Sequence, residues 1–112
     1  MKEQDIQKKI IKYLESKGHY VVKVQVASKA GVPDILTCVG GVFVGIEVKT
    51  PKTENNVSKL QEYNIKKIKE SGGIAFVATS IEDVDNFLFD TISLSTLEDE
   101  IGLEKGEGYG NK

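Results

Sequence analysis

Two apolar, β-branched runs meet at Gly40-Gly41: DILTCV lies before the pair and VFVGIEVK after it. Paired glycines between such runs supply the positive φ values that a two-residue hairpin turn requires. A chain closed there has a fixed register, with opposed residues numbered to the same sum as Gly40 and Gly41, so Asp34 faces Glu47. Opposed side chains share a sheet face, with Cβ atoms about 4.5–5.5 Å apart, and two like charges at that spacing destabilise a sheet. A divalent cation between the carboxylates removes the conflict. Mg²⁺ takes oxygen ligands, uses one or two carboxylates and keeps waters for phosphate and nucleophile. Lys49, two residues past Glu47, falls on the same face by strand alternation. An ammonium there can orient a water or stabilise charge developing on a phosphate. Two acids, a lysine and a hard cation are what phosphodiester hydrolysis needs. An E-x-K alternation alone also occurs on solvated strands. The apolar neighbours Ile35, Val39, Val44, Ile46 and Val48 weigh against a solvated face.

The rest of the chain supplies a frame for that hairpin. Ile6, Ile10, Tyr13 and Leu14 recur at helical spacing over residues 3–17, and Gly18 stops the helix. HYVVKVQV at 19–26 reads as a strand, SKAGVP at 28–33 as a loop, and TPKTENN at 50–56 as a polar loop. A second helix is expected from Val57 to about Ser71, with Val57, Leu60, Ile65 and Ile68 on one side and Gly72-Gly73 after it. IAFVAT at 74–79 is an unbroken apolar run, which predicts a strand buried on both faces. Ser80 is a good N-cap for a last helix, IEDVDNFLFD, whose first turn is acidic. The order is α-β-β-β-α-β-α, an α/β domain with a mixed central sheet of about four strands flanked by helices. The tail, ending GLEKGEGYGNK, has weak periodicity and is expected to fray.

At 112 residues, 39% apolar and 29% charged, the chain is long enough for one domain with a real core. One cysteine, Cys38, excludes an internal disulfide and suits a reducing compartment. No CxxC or His/Cys cluster accompanies the single histidine, His19, which argues against zinc. Cys38 reads as a small core residue and His19 as a surface or packing residue. No signal peptide or bilayer-length apolar run is visible, so the expectation is a cytoplasmic protein of a bacterial or phage-infected cell. The net charge is −2, and all 15 basic residues are lysines. Without arginine the chain lacks the usual bidentate reader of guanine, so recognition through shape and phosphates is expected.

Taken together, these motifs resemble the PD-(D/E)xK nuclease superfamily: Pro33-Asp34, Glu47-Val48-Lys49, and a helix beginning MKEQDIQ. Within it the chain is similar to the virus-type replication-repair (VRR-NUC) nucleases, in E-x-x-x-Q at Glu3–Gln7, GVPDIL at 31–36, GIEVK at 45–49 and S-x-x-Q at Ser58–Gln61. The resemblance covers about positions 3 to 90 and implies a restriction-endonuclease-like core, with residues 1–92 as the nuclease domain and 93–112 as a partly flexible C-terminal extension. It implies Asp34, Glu47 and the backbone carbonyl of Val48 as ligands of Mg²⁺ or Mn²⁺, and Lys49 as the catalytic lysine. Glu3 would bind the metal directly or through water. Gln7, one turn further on, and Gln61 would support the site by hydrogen bonding. Either Glu3 or Gln7 would complete the site from the first helix, with Glu15 a third candidate at its far end. Each also has an ordinary explanation, such as an acid favoured at a helix N-terminus.

Small stand-alone members of the family resemble Holliday junction resolvases, which implies a structure-selective DNA endonuclease acting as a homodimer. Two-fold symmetry would pair two cuts. Phe87, Leu88 and Phe89 are candidate interface residues, with core packing the competing role. The alternative is a non-catalytic nuclease-like module that binds DNA or a protein without turnover.

Overall fold

The computed structural model describes residues 1–89 of the chain. They form α1 (Glu3–Ser16), β1 (Tyr20–Lys23), β2 (Ile35–Val39), β3 (Val42–Val48), α2 (Lys59–Glu70) and β4 (Ile74–Ala78), followed by a helix over 81–89, here α3. The sheet order is β1-β2-β3-β4. The first three strands are antiparallel neighbours and β4 runs parallel to β3. A parallel neighbour cannot be reached by a tight turn, so α2 makes the crossover.

The register follows from the glycine turn. Ile35 pairs with Ile46 and Val39 with Val42, while Gly40 and Gly41 take φ of 57° and 81°. Strand alternation then sorts the side chains. Ile35, Val39, Val44, Ile46, Val48, Phe76 and Ala78 form one buried cluster with Ile6, Ile10 and Leu14 of α1 and with Val84 and Leu88 of α3. The Tyr13 hydroxyl donates to Asp85 over 2.5 Å and joins the two helices on that face. The opposite face carries Phe43, Gly45, Glu47 and Val77, and α2 packs on it against β3 and β4. At Gly45 the approach is close: an added Cβ would lie 3.0 Å from both Ile68 and Pro33.

Several boundaries differ from expectation. The first strand ends at Lys23 rather than Val26. Its last tie is Val24 N–H to the Asp34 carbonyl, 2.8 Å. Beyond it the partner is Pro33, which has no N–H to offer, and the backbone leaves the sheet. α2 starts at Lys59 because Ser58 caps it, and none of its residues is fully buried. β4 does have α2 on one face and the main core on the other, with Ala75, Phe76 and Ala78 buried. Cys38, expected in the core, is exposed, because α2 covers β3 and β4 and leaves β2 bare on that side. Of the three candidate interface residues, Leu88 is core, Phe87 stacks on Phe76 at 4.5 Å between ring centres, and Phe89 is exposed. The domain boundary at residue 92 and the extension 93–112 lie outside the described residues. Among the described residues no helix is long and apolar enough to cross a membrane.

Candidate active site

Glu47 is the centre of the site. It lies one residue before the end of β3, on the face covered by α2, and only 2% of its surface is exposed. A carboxylate so far from water needs partners. One oxygen has them: Oε2 accepts from the Gln61 amide at 2.9 Å and lies 3.8 Å from the Lys49 ammonium. The other, Oε1, is buried with no hydrogen-bond partner. Burial, then the nearby charge of Asp34, pushes the Glu47 carboxyl up to about 8; Lys49 pulls in the opposite direction.

Asp34 stands immediately before β2 in the bend after Pro33, and its Oδ2 accepts from the Val48 backbone N–H at 2.8 Å. That bond ties the start of β2 to the end of β3 and holds the two acids together. Lys49 follows directly on β3; its backbone N–H donates to the Ala78 carbonyl at 3.0 Å, and the residue is 9% exposed. The charged groups are therefore fixed by main-chain contacts with β3 and β4.

Gln61 is held by helix capping. Ser58 Oγ accepts from the Gln61 N–H at 3.1 Å, and the Ser58 N–H donates to Gln61 Oε1 at 2.9 Å. This reciprocal cap satisfies two backbone donors at the start of α2. It also uses the amide oxygen of Gln61, so the amide nitrogen is what remains to face Glu47. One box serves helix and site together.

The first helix contributes differently. α1 packs on the sheet face opposite Asp34 and Glu47, so only its N-terminus reaches the rim of the site. Glu3 Oε2 accepts from the Thr53 hydroxyl at 3.2 Å, and its charge is felt at Glu47 after those of Asp34 and Lys49. Gln7 is 8% exposed, and its Oε1 is a second buried oxygen without a partner. Glu15 is at the other end of α1. His19 is also remote, since it precedes Tyr20, which pairs with Cys38 near the hairpin turn. Thr50 and Thr53 escaped the sequence reading, which took 50–56 as a plain polar loop. Their side chains and backbone cross-bond at 2.9–3.1 Å, making a small turn that holds Glu3. The signal was a Thr-x-x-Thr spacing starting one residue after Lys49.

Among the described residues no three His, Cys, Asp or Glu side chains converge as a metal cluster. The donor set nevertheless suits a hard divalent ion. Glu47 Oε1 is an orphaned buried oxygen next to a second carboxylate, and Mg²⁺ needs only one or two carboxylates with water completing its shell.

The family model for archaeal Holliday junction resolvases (Hjc) matches residues 1–108. Among solved structures, a VRR_NUC domain superposes with a TM-score of 0.65 at 27% identity, covering 77% of this chain and 92% of its own. A second, a VRR_NUC domain protein, has a TM-score of 0.63 at 21% identity over 84% of this chain and 90% of its own, a likeness of fold alone. No curated protein matches.

Proposed function

Because the chain belongs to the archaeal Holliday junction resolvase family, a family of PD-(D/E)xK nucleases, we propose that it is a Mg²⁺- or Mn²⁺-dependent endonuclease that hydrolyses phosphodiesters in branched DNA. The observation that carries the chemistry is the buried Glu47 carboxylate, with Oε2 occupied by Gln61 and Lys49 and Oε1 unpartnered beside Asp34. Asp34 and Glu47, with the Val48 carbonyl, would hold the ion. When bound, it would supply Lewis-acid charge to a phosphate oxygen and acidify a water.

The protein's own groups do the rest. Lys49 presents an ammonium at the edge of the carboxylate pair, where it orients the attacking water and offsets charge on the phosphoryl oxygens. Gln61 fixes Glu47 so that Oε2 is engaged and Oε1 is the oxygen that would bind the ion. Glu3, steadied by Thr53, acts at the rim through water, and Gln7 supports it from the next turn of α1. The lysine-only basic set favours phosphate contacts and shape over base reading. We further propose a cytoplasmic homodimer with a role in replication or repair, since paired cuts across a four-way junction call for two sites related by a two-fold axis.

A four-way junction assay in Mg²⁺ tests the reading. Asp34→Asn and Lys49→Ala are each expected to lower the cleavage rate roughly 10²–10³-fold or more, with junction binding retained. Full activity in either variant overturns the chemistry. Binding without cleavage by the wild type in both Mg²⁺ and Mn²⁺ makes the domain a non-catalytic binding module.

A further inference from the structure

Val26 is 92% exposed, the highest value among the exposed large apolar side chains of the described residues. It lies in the connection from β1 to β2, whose two ends are fastened. At one end the Val24 N–H donates to the Asp34 carbonyl at 2.8 Å. At the other, the Asn64 amide donates to the Ala30 carbonyl at 3.0 Å. Gly31 beside it has φ +83°, and an added Cβ would lie 2.7 Å from the Leu60 backbone. A loop pinned at both ends presents its tip in a fixed place. Valine is stiff at χ1 as well, so little side-chain freedom is lost when it inserts.

The surroundings of the tip suit nucleic acid. No acidic residue occurs between Glu15 and Asp34, and Lys23 and Lys29 flank the tip along the chain, in a protein of net charge −2. Lys23 pairs with Ile35, so it stands at the Asp34 end of the sheet. Apolar side chains flanked by basic ones are how proteins enter a base step: the cations meet phosphates and the wedge takes the place of stacking. Val26 is two residues from Val24, a reach of at most about 7 Å, so with the side chains at both ends its tip stands within about 20 Å of the Asp34 carboxylate, at most about six base-pair steps of 3.4 Å.

We propose that Val26 is the wedge that recognises an unstacked base step at the branch point of the DNA substrate, and so sets both branch selectivity and the distance of the cut from the branch. This rests on the nuclease reading above and adds a specificity residue to it.

The test uses the full chain and an immobile four-way junction carrying 2-aminopurine beside the branch, with a linear duplex of the same sequence as control. Wild type is expected to raise 2-aminopurine fluorescence on binding and to cut within about six nucleotides of the branch. Val26→Ser is expected to bind the junction about tenfold more weakly, with duplex affinity unchanged and no fluorescence rise. Val26→Ile should restore both. At so exposed a position the thermal midpoint should not move, and a circular dichroism melt checks this. Unchanged junction preference and fluorescence in Val26→Ser overturn the wedge. So does a change in sedimentation of that variant, which would make the tip a contact between copies. A wild type that neither binds nor cuts the junction sinks the nuclease reading instead, a result distinct from both.

Discussion

The two ends of the β2–β3 hairpin are built on opposite terms. At the turn, Gly40 and Gly41 have nothing within 4 Å of where a Cβ would stand, and neighbouring Cys38 and Phe43 are exposed. The strand closes there by local backbone preference, and few distant residues take part. At the other end, Pro33, Glu47, Val48 and Lys49 are buried. Each of the three charged residues there is tied to one far away in sequence: Asp34 to Val48, Glu47 to Gln61, Lys49 to Ala78. The open end fixes the register that the closed end uses to bring like charges together. A sheet tolerates such a pair only where the rest of the fold over-determines it.

Alanine at a glycine of each end should separate the two sharply. Gly31→Ala must accommodate a Cβ 2.7 Å from the Leu60 backbone at φ +83°, and neither α2 nor the loop carrying Asp34 can yield without moving the site. It is expected to cost several kcal/mol, within the range of severe single substitutions, and to remove cleavage together with stability. Gly40→Ala, at φ +57° in open space, should cost only the left-handed backbone penalty of about 1–2 kcal/mol and leave cleavage intact. Chemical denaturation read beside a junction assay compares them. Equal losses would mean that the turn is as constrained as the site.

The same division explains what could be read in advance. The hairpin, its register and the approach of Asp34 to Glu47 follow from two glycines and period-two alternation, which are local. Capping by Ser58 is local too, yet it was missed: the helix was expected from Val57, and S-x-x-Q was noted only for its family resemblance. What could not be read was coverage. Cys38 and Ala75 lie on the same sheet face, yet one is exposed and the other buried, because α2 lies over β3 and β4 and leaves β2 bare. The end of β1 at Lys23 depended on a proline ten residues away in the next strand's approach. Glu3 was expected to bind the metal directly or through water; helix periodicity does not say which sheet face α1 will occupy, and in the structure Glu3 meets Thr53.

A milder contrast lies within the closed end, between the cap and the side chain that it orients. Gln61→Ala removes the amide from Glu47 Oε2 and breaks the box. Such supporting contacts commonly cost about 10–100-fold in metal affinity or activity, so a higher Mg²⁺ requirement is expected. Ser58→Ala keeps the backbone N–H that bonds Gln61 Oε1 and removes only the Oγ that accepts from the Gln61 backbone N–H, costing about 1 kcal/mol of stability with a smaller change in Mg²⁺ requirement. Titrating cleavage against Mg²⁺ for both variants distinguishes them. Matching curves would show that Gln61 acts only as a cap.

The smallest effect concerns the cost of the buried acid itself, in metal-free protein. Glu47 is pushed from the ordinary carboxylate value of 4.5 to about 8 by burial and by Asp34. Below pH 4.5 it is protonated whether the chain is folded or not, and it contributes no slope. Between 4.5 and about 8 the unfolded chain has released the proton while the folded chain keeps it, so stability falls as pH rises. Above about 8 both states are ionised and the full cost remains. Glu47→Gln carries no such proton, so in EDTA its thermal midpoint should gain on the wild type steadily between pH 5 and 8, by several degrees at the top, and then level off. Losing the 3.8 Å contact with Lys49 works against the variant. Saturating Mg²⁺ or Mn²⁺ should raise the wild type and narrow the gap, since the ion takes the place of the proton. A difference that is flat across pH 5–8 would mean that Glu47 is already ionised in the metal-free protein.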